Sequence, residues 1–491
     1  MSVHTKRRNV FLEKTPKGAR GVLGNRTGEP LQCLPGKRGG DAVKDHVFYA
    51  SLKATYPVID RGEGVYLWDT SGKRYLDGCS GALVANIGHG VKEVADAIDR
   101  QLRRVAFAHR SQFTSGPLIS LAELIAEMAP PGMNWVNFVS GGSEATETAM
   151  KMAREYYIER GKPAKYQVVA RWQSYHGNSI GALSMSGHIG RRRRYAPMLV
   201  DFPHAVPAYC YRCPFDKRPE NCALECAADI ERAIVSAGPE NVAAVIIEPV
   251  VGSSLGAVPA PDGYLQAVRD TCTKYDVLLI ADEVMTGFGR TGANFGVDHW
   301  KVVPDMIVCA KGASGGYAPL GAVVLTDEVH RAFREGSGKF AHGFTYGGNP
   351  VAAAAGVAVL EYLKNHDLVN ASLERGRYLM AGLKRLQESC SMVGDVRGMG
   401  LMTGIEFVSD RRTKEPFPVK SGVTDMVKSV AFSKGLILYP APGCADGVRG
   451  DTVMVAPPLV IKDSEIDELL AIIEETLREI EARVPGLEKR T

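Results

Sequence analysis

Between Trp135 and Leu325 short apolar runs rich in β-formers alternate with longer amphipathic stretches. The runs Trp135–Val139, Gln167–Ala170, Val242–Ile247, Val277–Ala281, Met306–Cys309 and Gly321–Leu325 read as strands. The stretches Glu144–Arg160, Ala227–Ala237 and Gly263–Lys274 read as helices. Parallel strands need long crossovers, so this rhythm predicts a mainly parallel sheet covered by helices. Ligands in such sheets sit at the carboxyl ends of the strands. Ser140–Ser143, Glu248, Asp282 and Lys311 all fall at or just beyond those ends.

The flanks read differently. Val58–Asp77 alternates and turns like a small sheet, and Val91–Arg104 and Leu118–Met128 have helical periodicity. From Pro350, helices at Val351–Leu363 and Leu373–Gln387 precede strands near Leu401–Phe407, Leu436–Tyr439 and Val453–Val455 and a last helix at Ser464–Arg483. This predicts a separate C-terminal α+β subdomain. A chain of 491 residues carries two or three such units.

Charge and composition exclude several function classes. Hydrophobic residues make up 45% and charged residues 23%, as in a globular enzyme. A net charge of +4 gives no case for nucleic acid, and the Arg191–Arg194 run reads as a solvated or interface loop. No apolar stretch reaches the ~18 uncharged residues of a membrane span. Residues 1–40 carry nine Lys/Arg against Glu13 and Glu29, without the apolar core of a secretory signal. The expected location is cytoplasmic, with residues 1–45 a basic extension, either a tail or an organelle address. Cys210, Cys213, Cys222 and Cys226 have a spacing that suits one structural zinc; the alternative is reduced thiols in a surface insertion.

The chemistry lies in a few positions. Lys311 and Asp282 each close a buried strand, bringing an amine and an acid to one sheet end. A lysine that can form an imine, with an aspartate that can keep a ring nitrogen protonated, is the minimal apparatus for pyridoxal phosphate. Ser140-Gly141-Gly142-Ser143 joins a strand to a helix, so backbone N–H groups and the Ser143 hydroxyl suit a phosphate or, more simply, a helix cap. Tyr175 suits stacking on a ring, Val284 suits packing beneath it, and Glu248 suits orienting it. Thr345, in a Gly-rich turn before a helix, suits a phosphate or the helix end. Gly287-Phe-Gly289-Arg-Thr-Gly292 matches a dinucleotide pattern, but it follows Asp282-Glu283 and opens no periodic helix.

Assembled, these residues make the chain resemble the class III aminotransferases of the fold type I pyridoxal-phosphate enzymes. The resemblance is carried by Gly64–Gly72, Ser140–Ala145, Tyr175-His176-Gly177, Glu248-Pro249, Leu279–Gly292, the Lys311 segment, Phe344–Pro350, Arg397–Leu401 and Ala456–Leu459. It implies a large domain over 116–349 with a mainly parallel seven-stranded sheet. It also implies a small α+β domain built from both chain ends, 46–115 and 350–491. By the same resemblance, Lys311 carries the cofactor and shuttles a proton, and Asp282 binds the pyridine nitrogen. Val284 and Tyr175 sandwich the ring, Gly142 and Ser143 hold the phosphate, and Thr345 reaches the phosphate of a neighbouring subunit. A homodimer with shared active sites, or a tetramer of such dimers, follows from that last role.

Two departures bear on substrate. Family members that act on ornithine or 4-aminobutyrate carry an Arg where this chain has Met454, and a Glu in the stretch that here reads Gly252-Ser-Ser-Leu-Gly256. Losing one partner would strand a buried charge at about 3–5 kcal/mol; losing both leaves a consistent, less charged pocket. That pattern is similar to members that move the amino group of an ω-amino acid or other primary amine to a 2-oxo acid, with pyruvate the expected acceptor and 2-oxoglutarate the alternative. Arg449, in the inserted loop Ala441–Gly450, is the candidate clamp for the acceptor's carboxylate. Decarboxylation, racemisation or amino-group migration on the same cofactor is the competing chemistry.

Overall fold

The computed structural model describes residues 46–483. The chain divides into two compact units, Met1–Tyr56 and Pro57–Thr491. Residues 1–45, read above as a basic extension, lie outside the described residues. In the described part of the first unit the rings of Tyr49 and Tyr56 stack with centroids 4.8 Å apart, and the Ser51 N–H donates to the Tyr56 hydroxyl at 3.3 Å.

The second unit is organised by a seven-stranded sheet. Its spatial order is Trp135–Val139, Gly321–Leu325, Met306–Cys309, Leu278–Asp282, Val242–Ile247, Gln167–Arg171 and His204–Ala205. Gly321–Leu325 runs antiparallel to both neighbours; the other pairings are parallel. The sheet is therefore mainly parallel, with one reversed strand that alternation alone does not reveal.

Strand periodicity explains how both faces are covered. Along Val242–Ile247, Ala244 and Ile246 pack with Ala145, Ala149, Met152 and Ala153 of the helix Gly142–Glu159. Val245 and Ile247 point the other way, onto Ile230 and Ile234 of the helix Glu225–Ala237 and Leu265 and Val268 of the helix Tyr264–Lys274. Each fully buried Val, Ile, Leu or Met side chain among these contributes roughly 1.5–3 kcal/mol, an Ala methyl less. A sheet held on both faces gives its carboxyl edge a rigid rim.

Two four-stranded sheets and a short two-stranded one, Val250–Val251 with Val258–Pro259, accompany it. One four-stranded sheet joins Ile59–Glu63, Tyr66–Asp69 and Arg74–Asp77 to Leu436–Ile437, so distant stretches of sequence share a sheet. The other four-stranded sheet is antiparallel, ordered Val393–Met399, Met402–Phe407, Asp451–Val455, Tyr439–Pro440. Val393–Met399 escapes sequence reading because Gly394, Asp395, Arg397 and Gly398 interrupt its apolar pattern. The helices Asp327–Glu335 and Val423–Ser433 were also not foreseen. None of the described helices is long and apolar enough to cross a membrane.

Candidate active site

Six strands of the central sheet point the same way, so the residues at their carboxyl ends converge. Asp282 is the last residue of its strand and pairs in register with Val308, three residues before Lys311. Ser140 follows the strand Trp135–Val139, and Glu248 follows Val242–Ile247. A cavity of about 190 Å³ opens between these ends. Gly142, Ser143, Tyr175, Glu248, Asp282, Val284 and Lys311 all line it.

Lys311 adopts φ 43°, a left-handed conformation that is unfavourable for a residue with a side chain. The surrounding packing holds it there, with Gly312 and Ala313 buried behind it. Burial pushes its amine down to about 8, against the attraction of Asp282. A sizeable fraction is therefore neutral near pH 8, which an amine needs to act as nucleophile or base.

The carboxylates opposite are each fixed. Asp282 Oδ2 lies 2.8 Å from His176 Nδ1, and its Oδ1 accepts the Val284 N–H at 3.1 Å. His176 Nε2 is buried without a hydrogen-bond partner, consistent with Nδ1 carrying the proton that faces Asp282. Glu248 Oε1 accepts the Tyr175 N–H at 3.3 Å, and its Oε2 lies 3.7 Å from Arg171 Nη2. Burial pushes Glu248 up to about 7 in spite of His176 and Arg171.

The phosphate-like corner is built from backbone. The helix Gly142–Glu159 starts at Gly141 without a side-chain cap, leaving its first N–H groups and partial positive charge for an anion. The Ser143 hydroxyl instead accepts the Asn178 N–H at 3.0 Å, tying this corner to the Tyr175-His176-Gly177 turn. A Cβ on Gly142 would come within 3.1 Å of Val284, so the wall there is already closed by Val284.

Three sequence-predicted residues are not brought to the cavity. Thr345 is exposed in the single chain, and Asn349 rather than Thr345 caps the helix Pro350–Asn365, accepting the Val351 and Ala352 N–H groups. Met454 is fully buried in its strand, packed in one cluster with Val250, Met402 and Ala456 behind the cavity wall. Arg449 is exposed and committed elsewhere, at 2.7 Å from Asp446 and 3.6 Å from Glu415. Two acids at the surface thus already pair with the expected clamp.

Other residues of the site were missed or left without a role. His176 carries no local signal, because its contact with Asp282 spans 106 positions. Val250, Gly252, Ser253 and Met285 also line the cavity. The zinc reading finds no support. The four cysteines are free thiols, and among the described residues no group of three or more His, Cys, Asp or Glu could hold a metal ion. The dinucleotide-like glycines form turns in which Arg290 is buried, donating to the Leu401 and Pro457 carbonyls and to Asn86.

The fold is that of the fold type I transaminases. This chain belongs to the class III aminotransferases: the model of that family matches residues 49–477. It is 40% identical to the uncharacterized aminotransferase YodT of Bacillus subtilis over 89% of this chain and 99% of that protein. It is 37% identical to the putrescine–pyruvate aminotransferase of Pseudomonas aeruginosa, over 87% of this chain and 91% of that one. Among solved structures, an amine transaminase from an uncultivated Pseudomonas species, in its PLP-bound form, superposes with a TM-score of 0.84 at 34% identity, covering 90% of this chain and 100% of that one. Class III aminotransferases depend on pyridoxal phosphate.

Proposed function

We propose that the chain is an ω-type transaminase. In this reading it uses pyridoxal 5′-phosphate to move an amino group from a primary amine or ω-amino acid to a 2-oxo acid, in two alternating half-reactions with pyruvate as acceptor. The observation that carries the reading is the lowered Lys311 amine in one cavity with the His176-anchored Asp282.

The donor set fits that cofactor. The bare helix start at Gly142 and Ser143 suits its phosphate, Asp282 its ring nitrogen, and Tyr175 and Val284 the two ring faces. When bound, the cofactor supplies an electron sink that acidifies the substrate carbon next to nitrogen. Lys311 would take the proton from that carbon and deliver it to the cofactor's C4′, across the nitrogen, acid and base in one amine. Asp282, kept in place by His176, would hold the ring nitrogen in its protonated form. Glu248 and Arg171 keep the Tyr175 turn in place from behind.

The apolar wall of Val250, Val284 and Met285 supports donors with an uncharged stem. The absence of an Arg at Met454 and of an acid at Ser253 points the same way. Thr345 is proposed to serve the cavity of a second copy in a homodimer. Beside it, Tyr346 is 66% exposed and meets the exposed Phe107 edge-on at 5.9 Å, apolar surface that suits a subunit face. A screen tests the reading. The visible absorbance of the Lys311-bound cofactor is followed with β-alanine, taurine, 6-aminohexanoate, putrescine, 4-aminobutyrate and ornithine, then with pyruvate or 2-oxoglutarate. The expected result is bleaching by the first four and recovery with pyruvate. Ornithine or 4-aminobutyrate as the best donor would overturn the substrate class, and CO2 or racemised product without an acceptor would overturn transamination.

A further inference from the structure

We infer that Arg191 receives the carboxylate of the substrates, an inference that rests on the transaminase reading above. The run Arg191–Arg194 looks like a uniform basic patch in sequence, but its members do different things. Arg192 turns back and donates to the carbonyls of Leu183, Ser184 and Ser186 at 2.9, 2.7 and 2.7 Å, which ends the helix Ile180–Met185. Arg191 turns the other way. Its guanidinium carbon lies 4.5 Å from the centroid of the Tyr175 ring, and its Nη1 donates to the Tyr175 hydroxyl at 3.4 Å.

Charge accounting singles Arg191 out. The acids of the cavity are already matched, Asp282 by His176 and Glu248 by Arg171. Arg191 is half-buried, and among the described residues no carboxylate lies within 4.0 Å of it. It is nevertheless close enough to Lys311 to help keep that amine from protonating. A partly desolvated guanidinium without a counter-ion, stacked on the Tyr175 ring of the cavity wall, gains most from an incoming carboxylate, whose two oxygens match its planar fork.

The same cavity offers a second unmet partner. The Ser253 hydroxyl lines it, is 4% exposed and has no hydrogen-bond partner. It stands in the stretch where relatives with the Arg/Glu gate carry the Glu. With Met454 packed into the core and Arg449 tied up at the surface, Arg191 is, among the described residues near the cavity, the cation free to recognise the acid group of a 2-oxo acid or an ω-amino acid.

The test separates the two half-reactions of the holoenzyme, each followed in single turnover by the cofactor's absorbance. For R191Q, kcat/KM with pyruvate should fall about 100-fold, chiefly through KM, the scale of lost charge-assisted hydrogen bonds. A carboxylate-free donor such as 1-phenylethylamine should change less than about threefold. Calorimetric binding of propionate, which cannot react, should weaken by a similar factor to pyruvate. R191K should keep part of the pyruvate activity, and it carries the test if R191Q does not fold. Equal losses with pyruvate and 1-phenylethylamine would mean that Arg191 only positions Tyr175, and an unchanged pyruvate KM would place the clamp elsewhere; either overturns the inference while leaving transamination standing. If the wild-type protein neither bleaches with any amine nor recovers with a 2-oxo acid, the transaminase reading falls, and this inference with it.

Discussion

The His176 imidazole lies 2.8 Å from the Asp282 carboxylate, and both side chains are buried. The turn after one strand thus steadies the acid at the end of another, two strands away. A carboxylate held on both oxygens cannot swing, so its remaining lone pairs have a fixed aim. Removing the charge and removing the anchor should differ in severity. D282N is expected to lower kcat about 10³-fold, since the charge that stabilises the transition state is gone. H176F keeps the charge but frees its direction, at a cost of about 10²-fold. Single-turnover rates on the two variants measure this, and equal rates for H176F and wild type would sink the anchoring role.

Lys311 makes stability depend on pH in a predictable direction. Its amine falls from 10.5 to about 8 on burial. Between those values the unfolded chain still holds the proton and the folded chain has released it. Stability of the cofactor-free protein therefore rises with pH through this window and is penalised below it. At pH 7 the penalty is about 3 kcal/mol, from ~1.4 kcal/mol per pKa unit. K311M should abolish turnover, be more stable than wild type at pH 7, and lose the rise between pH 8 and 10. Urea midpoints at pH 7 and 10 for both proteins check it; parallel slopes would refute the lowered amine.

The chemistry of this site was more legible than its geometry. Lys311 and Asp282 stood out because a polar residue ending a fully apolar run has few reasons to be there. Strands such as Val242–Ile247 were legible because burial on both faces leaves an unbroken apolar string. The reversed strand Gly321–Leu325 was not, since a buried strand reads alike in either direction. His176 and Arg191 escaped for another reason. Their roles are set by contacts with residues far along the chain or by which way one side chain turns, and neither leaves a trace in local pattern.

Gly177 should be a sensitive position although it carries no chemistry. Its φ is +134°, and a Cβ there would stand 2.7 Å from the Ser143 hydroxyl oxygen and 2.9 Å from the Ala182 Cβ. An alanine must strain the backbone and push Ser143 away from the helix start at once. G177A is expected to destabilise the protein by about 2 kcal/mol. It should also weaken retention of pyridoxal phosphate on dialysis, because Ser143 and the Asn178 N–H move together. Wild-type melting and retention in G177A would show that the turn is not needed to shape the phosphate corner.

Arg449 is a cation already paired within its own loop. It sits in a ten-residue loop, Ala441 to Gly450, whose fold is internal: the Gly443 N–H donates to the Gly450 carbonyl at 2.8 Å and the Ala445 N–H to the Arg449 carbonyl at 2.9 Å. Asp446 accepts from both the Arg449 backbone and its Nε, at 2.6 and 2.7 Å, so the side chain braces its own loop. The loop in turn is tied to the segment just before Tyr175 by Gln173, whose amide donates to the Cys444 carbonyl at 2.9 Å. An exposed ion pair of this kind is screened by solvent and adds little to stability. R449A should therefore leave the KM for pyruvate within about twofold of wild type, with a melting temperature only slightly lower. Q173A, which releases the loop next to Tyr175, should raise KM several-fold without a change in charge. A large pyruvate defect in R449A with an intact fold would return the clamp to this loop and require it to close over the cavity in the working enzyme.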